Sequence, residues 1–185
     1  MNENMLLLHS CCGPCTIYPL QVLRDEGYTV TGYFDNPNIH PYREYQSRLA
    51  SYKEMAAMHG LPVKLDEEYR LASFMAALRG YEDRVFQAES EERCGMCYQI
   101  RMEKTAIACR EAGMKLFSTT LLVSPYQRHD LIREIGEAVA QAHGLRFLYR
   151  DFRPGFHQGQ AEAKAMGLYM QGYCGCIFSE YARYG

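Results

Sequence analysis

Met5-Leu6-Leu7-Leu8-His9-Ser10-Cys11-Cys12-Gly13-Pro14-Cys15 is the stretch on which the fold turns. Met5 to Ser10 is an apolar run too short for a helix, and it reads as a buried strand. Three cysteines then sit in the loop that follows. Thr16 to Glu26 reads as a helix that stops at Gly27, a residue suited to the left-handed position after a helix end. Strand, reactive loop and helix together make the opening unit of a parallel sheet.

The same unit recurs outward from it. Tyr28 to Phe34 is a second β-rich run, broken by the turn-forming Asp35-Asn36-Pro37-Asn38. Pro41 is placed as the first residue of a helix in which Tyr45, Leu49, Tyr52 and Met55 repeat at helical spacing, with Gly60 closing it. Leu61 to Leu65 is a third, weaker strand, and an irregular acidic stretch follows, with a short helical run around Leu71 to Leu78. Helix formers dominate from Cys97 to Glu111, Lys115 to Thr120 is a fourth strand, and Gln127 to His143 is a long helix with Leu131, Ile135, Ala138 and Ala142 inward. Gly144 ends that helix, Arg146 to Phe152 makes a fifth strand, and short helices occupy the Gly-rich remainder.

This alternation demands an α/β fold, a parallel sheet covered by crossover helices. In such sheets ligands collect beyond the carboxyl ends of the strands, where the loops after Ser10, Phe34, Leu121 and Phe152 converge. With 185 residues, 48% apolar and 23% charged, and no repeat or linker-like composition shift, the expectation is one domain over residues 1–185. A formal charge of −2 excludes a global basic field, so contact with nucleic acid would need a local patch. The Met5 to Leu8 run does not read as an export signal, and no apolar stretch approaches the roughly 20 residues of a membrane span. The expected location is the cytoplasm, without a membrane partner.

In that compartment eight cysteines point to metal or redox chemistry more than to disulfide staples. Seven of them form three groups: Cys11, Cys12 and Cys15; Cys94 and Cys97 before a helix; Cys174 and Cys176 near the C-terminus. Two Cys-x-x-Cys spacings in one chain are a fairly specific metal signal. A four-thiolate zinc knot uses one pair from each of the first two groups, but leaves Cys11 surplus, which an iron–sulfur cluster accommodates better. Cys174-Gly175-Cys176 differs in kind. One intervening residue forces a small strained ring on oxidation, the mark of a reducible, functional disulfide, although further metal ligation is the alternative. Cys109, in mid-helix, reads as a small buried hydrophobe.

Two segments dense in hydrogen-bonding groups, Asn36 to Tyr42 and Ser118 to Tyr126, fall at strand ends and read either as binding loops or as ordinary turn and cap chemistry. Arg146, Arg150 and Arg153 alternate with Phe147, Tyr149 and Phe152, which suits RNA stacking and phosphate contact, although a half-buried strand with solvated arginines is the commoner meaning of such a stretch. His9 and Tyr126 are candidate proton donors, and a core histidine is the plainer account of the first.

Leu8-His9-Ser10-Cys11-Cys12-Gly13-Pro14-Cys15, Asn36-Pro37-Asn38-Ile39, Arg93-Cys94-Gly95-Met96-Cys97-Tyr98, Phe117-Ser118-Thr119-Thr120-Leu121-Leu122, Asp151-Phe152-Arg153 and Tyr173-Cys174-Gly175-Cys176 resemble, in order, the QueH-type epoxyqueuosine reductase family. The likeness covers nearly the whole chain, and Asp35 departs from the aromatic residue expected before the Asn-Pro-Asn turn. It implies a fold similar to the α/β nucleotide-hydrolase (HUP-like) superfamily. The implied reaction is cobalamin-independent reduction of epoxyqueuosine in tRNA to queuosine, fed by an unidentified electron donor. The resemblance further implies that Cys11, Cys12, Cys94 and Cys97 hold a 4Fe-4S cluster and that Cys174 and Cys176 form a redox-active pair. Cys15 is left over, for an additional iron or for substrate. A zinc-bound RNA-binding module, or a thiol-based redox protein without epoxide chemistry, is the alternative. An ATP-dependent tRNA sulfur-transfer enzyme is disfavoured, because cysteines stand where its Ser-Gly-Gly phosphate loop would follow the first strand.

Overall fold

The computed structural model describes residues 4–79 and 91–185. Five strands, β1 (Met5–His9), β2 (Thr29–Phe34), β3 (Val63–Leu65), β4 (Leu116–Thr119) and β5 (Arg146–Phe147), form one sheet in the order β3-β2-β1-β4-β5. Every neighbouring pair is parallel. The expected α/β class is therefore observed. β1 lies at the centre, and Leu6, Leu7 and Leu8 are fully buried. Both faces of a parallel sheet are covered, so a central strand reads as an unbroken apolar run rather than an alternating one.

The helices are α1 (Gly13–Asp25), α2 (Tyr42–Met58), α3 (Leu71–Ala77), α4 (Glu91–Glu111), α5 (His129–Ala142), α6 (Phe156–Ala165) and α7 (Ile177–Tyr184). α1 packs with α2 and α6, and α4 packs with α5. Chain direction reverses after β3: β2 and β3 are laid down on one side of β1, β4 and β5 on the other. The switch point thus falls between the carboxyl ends of β1 and β4, where His9 and Thr119 are register partners.

Several boundaries differ from the sequence-based expectation. α1 starts at Gly13 rather than Thr16, because the Cys12 sulfur caps it by accepting from the Cys15 backbone N–H at 3.4 Å. Cys15 therefore stands in the first turn of a helix and not in a loop. α4 already includes Cys94 and Cys97, with Glu91 and Glu92 favouring the positive helix start. Pro41 is the residue before α2 rather than its first.

β5 was expected over 146–152 and pairs only through Arg146 and Phe147. One further bond, from Leu148 N–H to the Phe117 carbonyl at 2.8 Å, ends the ladder. The Asp151 carboxylate then accepts from the Arg153 backbone N–H at 3.0 Å and turns the chain out of the sheet. On α5 the sheet-facing residues are Ile132, Gly136, Val139 and Ala140, whereas Ala138 and Ala142 are exposed. Leu131 and Ile135 are half-buried and lie over Gly95 of α4, so the predicted stripe mixed two different contacts. The short helix at Leu71 is present, and the remainder of the acidic stretch, residues 80–90, lies outside the described residues. Among the described residues no helix is long and apolar enough to cross a membrane.

Candidate active site

The loops after β1 and β4 meet at the switch point. Thr119 presents its hydroxyl oxygen to His9 Nδ1 at 2.9 Å, and the Thr120 hydroxyl oxygen accepts from the Cys11 backbone N–H at 3.3 Å. The Thr120 hydroxyl also reaches Cys11 Sγ at 3.7 Å. Beside them opens a cavity of about 890 Å³, lined by Cys11, Cys15, Cys94, Cys97, Cys174 and Cys176 among other residues. Cys12 stands directly behind, its Sγ 3.7 Å from that of Cys11. All seven clustered cysteines thus converge on one place. Cys109 is apart, buried with its thiol on the Leu116 carbonyl at 3.5 Å, as a small core residue.

Cys11, Cys12 and Cys15 hold their sulfurs within 4.8 Å of one another, close enough to share a metal ion. Their acidities are divided. Thiol hydrogen bonds from Cys12 and Cys15, aided by the Arg101 charge, hold Cys11 well below the ordinary thiol range despite burial. Burial first pushes Cys12 up, and the bond to Cys11 first pushes Cys15 up. Burial leads the rise at Cys94, and at Cys97, raised to about 11, with the Cys174 charge adding to both. Burial also takes Cys176 up to about 12, with the neighbouring Cys174 adding to it. Left without a cation, the raised thiols of Cys12, Cys15, Cys94, Cys97 and Cys176 stay protonated at neutral pH. A soft cation would be needed to hold the set as thiolates, since metal ligation requires the deprotonated form.

The C-terminal dithiol is carried on a strap that α2 and the β2 loop hold in place. Arg48 donates to the carbonyls of Tyr173 at 2.7 Å and Cys174 at 3.1 Å, while its Nε donates to Glu44 at 2.6 Å. The His40 backbone N–H donates to the Gly175 carbonyl at 2.8 Å, and the Tyr173 hydroxyl donates to the His40 carbonyl at 2.6 Å. Gly175 has φ +100, and a Cβ there would stand 3.0 Å from an Arg48 nitrogen. Further along the strap, the Gln171 amide nitrogen donates to Cys12 Sγ at 2.9 Å and Cys15 Sγ at 3.1 Å, and its buried carbonyl oxygen has no partner among the described residues.

The Asn36 to Tyr42 loop therefore serves the site by building it: Asn36 donates to the Ser10 carbonyl at 2.9 Å, and His40 anchors the strap. His9 is completely enclosed, and burial, then the Arg101 charge, lowers its pKa to about 3. A neutral, walled-in imidazole is no proton donor to a substrate, so the core-histidine account holds. Tyr126 is the opposite case, 83% exposed at the cavity rim with its ring edge-on to Phe156 at 6.0 Å. The Arg146 to Arg153 stretch does not line the cavity: Arg150 pairs with Glu26, and Arg153 with Asp151 at 2.6 Å.

Arg48, Arg93, Arg101, Arg128 and Arg183 do line it, and no aspartate or glutamate is among the described lining residues. Of these five the sequence marked only Arg93, as the first residue of the Arg93-to-Tyr98 motif. The spacing of Cys94, Cys97 and Arg101 is a signal it had, since steps of three and four place all three on one helix face.

Fold and site together define an α/β protein with a thiol-walled, arginine-rimmed cavity at the switch point of a parallel sheet, a class equipped to hold a metal or pass electrons through sulfur. Comparison with known proteins gives the family. A model described as epoxyqueuosine reductase QueH matches residues 6–182, and this chain belongs to that family. It is 36% identical over 180 residues to epoxyqueuosine reductase QueH of Dehalococcoides mccartyi, covering 97% of this chain and 94% of that one. It is 33% identical over 178 residues to the protein of the same name from Thermotoga maritima, covering 94% of this chain and 89% of the relative.

Proposed function

We propose that this chain is an oxidoreductase that converts the epoxide of epoxyqueuosine, at the wobble position of tRNA, into the alkene of queuosine, the last step of queuosine synthesis, without cobalamin. Its family membership supports the reaction, and one structural observation carries it: six cysteines and five arginines, with no described carboxylate, line the same cavity. An RNA strand is a polyanion, and reduction needs a thiol or metal electron source beside the base. The arginines meet the first need and the cysteines the second.

Cys11, Cys12, Cys94 and Cys97 are proposed to hold a 4Fe-4S cluster. Their chemistry fits: all four are soft sulfur donors at or directly behind one cavity wall, the sulfurs of Cys11, Cys12 and Cys15 are already gathered, and the raised thiols gain most from a metal partner. When bound, the cluster supplies single electrons. Cys15 is left for an additional iron, with the unpartnered Gln171 carbonyl oxygen alongside it.

Cys174 and Cys176 are the proposed redox pair. Closing them to a disulfide releases two electrons and two protons. The epoxide consumes the same two electrons and two protons as both C–O bonds break, the alkene forms and oxygen leaves as water. A separate electron donor then reopens the disulfide. Gly175 permits the tight ring, and the Arg48 fork holds both neighbouring carbonyls while it forms. We place the whole chain, residues 1–185, in one HUP-like domain in the cytoplasm.

The test is iron, sulfide and zinc content of protein purified without oxygen, followed by an assay on tRNA carrying epoxyqueuosine. Near-stoichiometric iron and sulfide, with product formed, are expected. Zinc without sulfide, even after attempted reconstitution, and no product would replace the reductase with an RNA-binding module.

A further inference from the structure

Three arginines of the cavity are almost completely buried, Arg48, Arg93 and Arg101, and the first and last of them are balanced differently. Arg48, 1% exposed, has the Glu44 carboxylate on its Nε. Arg101, 2% exposed, makes no ion pair among the described residues. Its Nε donates to His9 Nε2 at 3.4 Å, one terminal nitrogen to Asn36 Oδ1 at 2.8 Å and the other to Cys97 Sγ at 3.9 Å. A guanidinium cannot shed its proton, and a buried charge without a counter-charge is costly. The first two partners are neutral, so among the described residues the compensating anion comes from the sulfur side.

We propose that Arg101 is the fixed counter-charge of the thiolate-bound cluster, a positioning residue that favours the cluster's reduced state. This rests on the cluster assignment given above. A four-thiolate 4Fe-4S cluster is anionic and gains one more negative charge on reduction, so a nearby fixed cation stabilises the reduced form more than the oxidised one. Burial keeps water from screening the interaction.

The geometry fixes the cation in place. Because Arg101 can only donate, Nε2 of His9 accepts, and the imidazole proton sits on Nδ1, directed at Thr119 Oγ1 at 2.9 Å. Asn36 is tied in turn to the Ser10 carbonyl at 2.9 Å. Residues from β1, the loop after β2, and β4 thus hold one guanidinium that α4 supplies, four residues on from Cys97. His9 acts here as a buttress, which accounts for a fully buried histidine one step before the cysteine loop.

The experiment compares Arg101→Met and Arg101→Lys with the unaltered chain, each reconstituted without oxygen. Iron and sulfide are counted, and the cluster midpoint is read by an EPR-monitored redox titration. With the charge removed, the ratio of reduced to oxidised cluster at a fixed potential is expected to fall at least tenfold, a displacement of about 59 mV for a one-electron couple. Lysine is expected to restore most of that shift, because it keeps the charge while losing the fork. Should Arg101→Met not fold, Arg101→Gln against Arg101→Lys carries the same comparison. Fully loaded variants with an unmoved midpoint would overturn the role of Arg101 alone. An unaltered chain that takes up no iron and sulfide would overturn the cluster assignment itself, and this role with it.

Discussion

The Arg48 guanidinium donates to the Cys174 carbonyl at 3.1 Å, so a side chain of α2 fixes the backbone of a dithiol 126 residues further along the chain. A second donation, to Tyr173, and the ion pair with Glu44 complete a three-way clamp. Tyr169, on the same strap, hydrogen-bonds to the other oxygen of Glu44.

Replacing Arg48 by methionine breaks that clamp and leaves Glu44 buried without its cation. Removal of one partner from a buried pair costs about 3–5 kcal/mol, so a denaturant midpoint falls markedly. The strap loosens in the native state as well. Alkylation of the buried Cys176 should therefore quicken in Arg48→Met under conditions where the fold persists, while that of Cys109, in the core beneath β4, stays slow.

Gly175 tests the same strap from the backbone side. Its φ of +100 is open to glycine, and an added Cβ would press on Arg48 and Ile39 at 3.0 Å. Gly175→Ala is expected to cost roughly 1–3 kcal/mol in backbone strain and contact. It should also slow disulfide closure in a single-turnover experiment, with iron content unchanged. Cys174→Ser and Cys176→Ser should abolish turnover and likewise keep iron, which separates the dithiol from the metal ligands.

How far the sequence disclosed this molecule follows from what each signal reports. The Leu6-Leu7-Leu8 run and the glycine stops report burial and helix ends directly, so the order of elements was legible. The left-handed Gly27, φ +85, sits where it was expected. The start of α1 was hidden because a cysteine sulfur performs the capping usually given to Ser, Asp or Asn. β5 was overdrawn because one local bond, Asp151 to Arg153, outcompeted the ladder. The cysteine groups were legible by spacing, and their convergence follows from the switch point. Arg48 and Arg101 were not, because burial of an arginine is decided by partners distant in sequence.

Tyr126 offers a way to separate stacking from proton donation. It stands exposed at the rim against Phe156, with Arg128 also lining the cavity, an arrangement suited to an unstacked base. Base–aromatic stacking is worth about 1–3 kcal/mol. Tyr126→Ala should then raise KM for tRNA roughly tenfold or more with little change in kcat, and Tyr126→Phe should be nearly neutral. A fall in kcat shared by both variants would instead identify the hydroxyl as the proton donor.

The strap should also respond to acid through His40. Its Nδ1 meets the Tyr69 hydroxyl at 2.9 Å, its Nε2 is buried without a partner among the described residues, and burial lowers its pKa from 6.5. The folded state therefore prefers the neutral ring more than the unfolded chain does. This contribution to stability is therefore complete above pH 6.5, and it is lost as the pH falls from there through the lowered folded value. Because the His40 backbone bonds to both Gly175 and Tyr173, the loss is felt at the dithiol. Hydrogen exchange across residues 169–176 should show weaker protection, corrected for intrinsic rate, at pH 5.5 than at pH 7.5. His40→Gln, which cannot take up a proton in this range, should show a smaller difference between the two. Equal differences in the two proteins would assign the acid response to other groups.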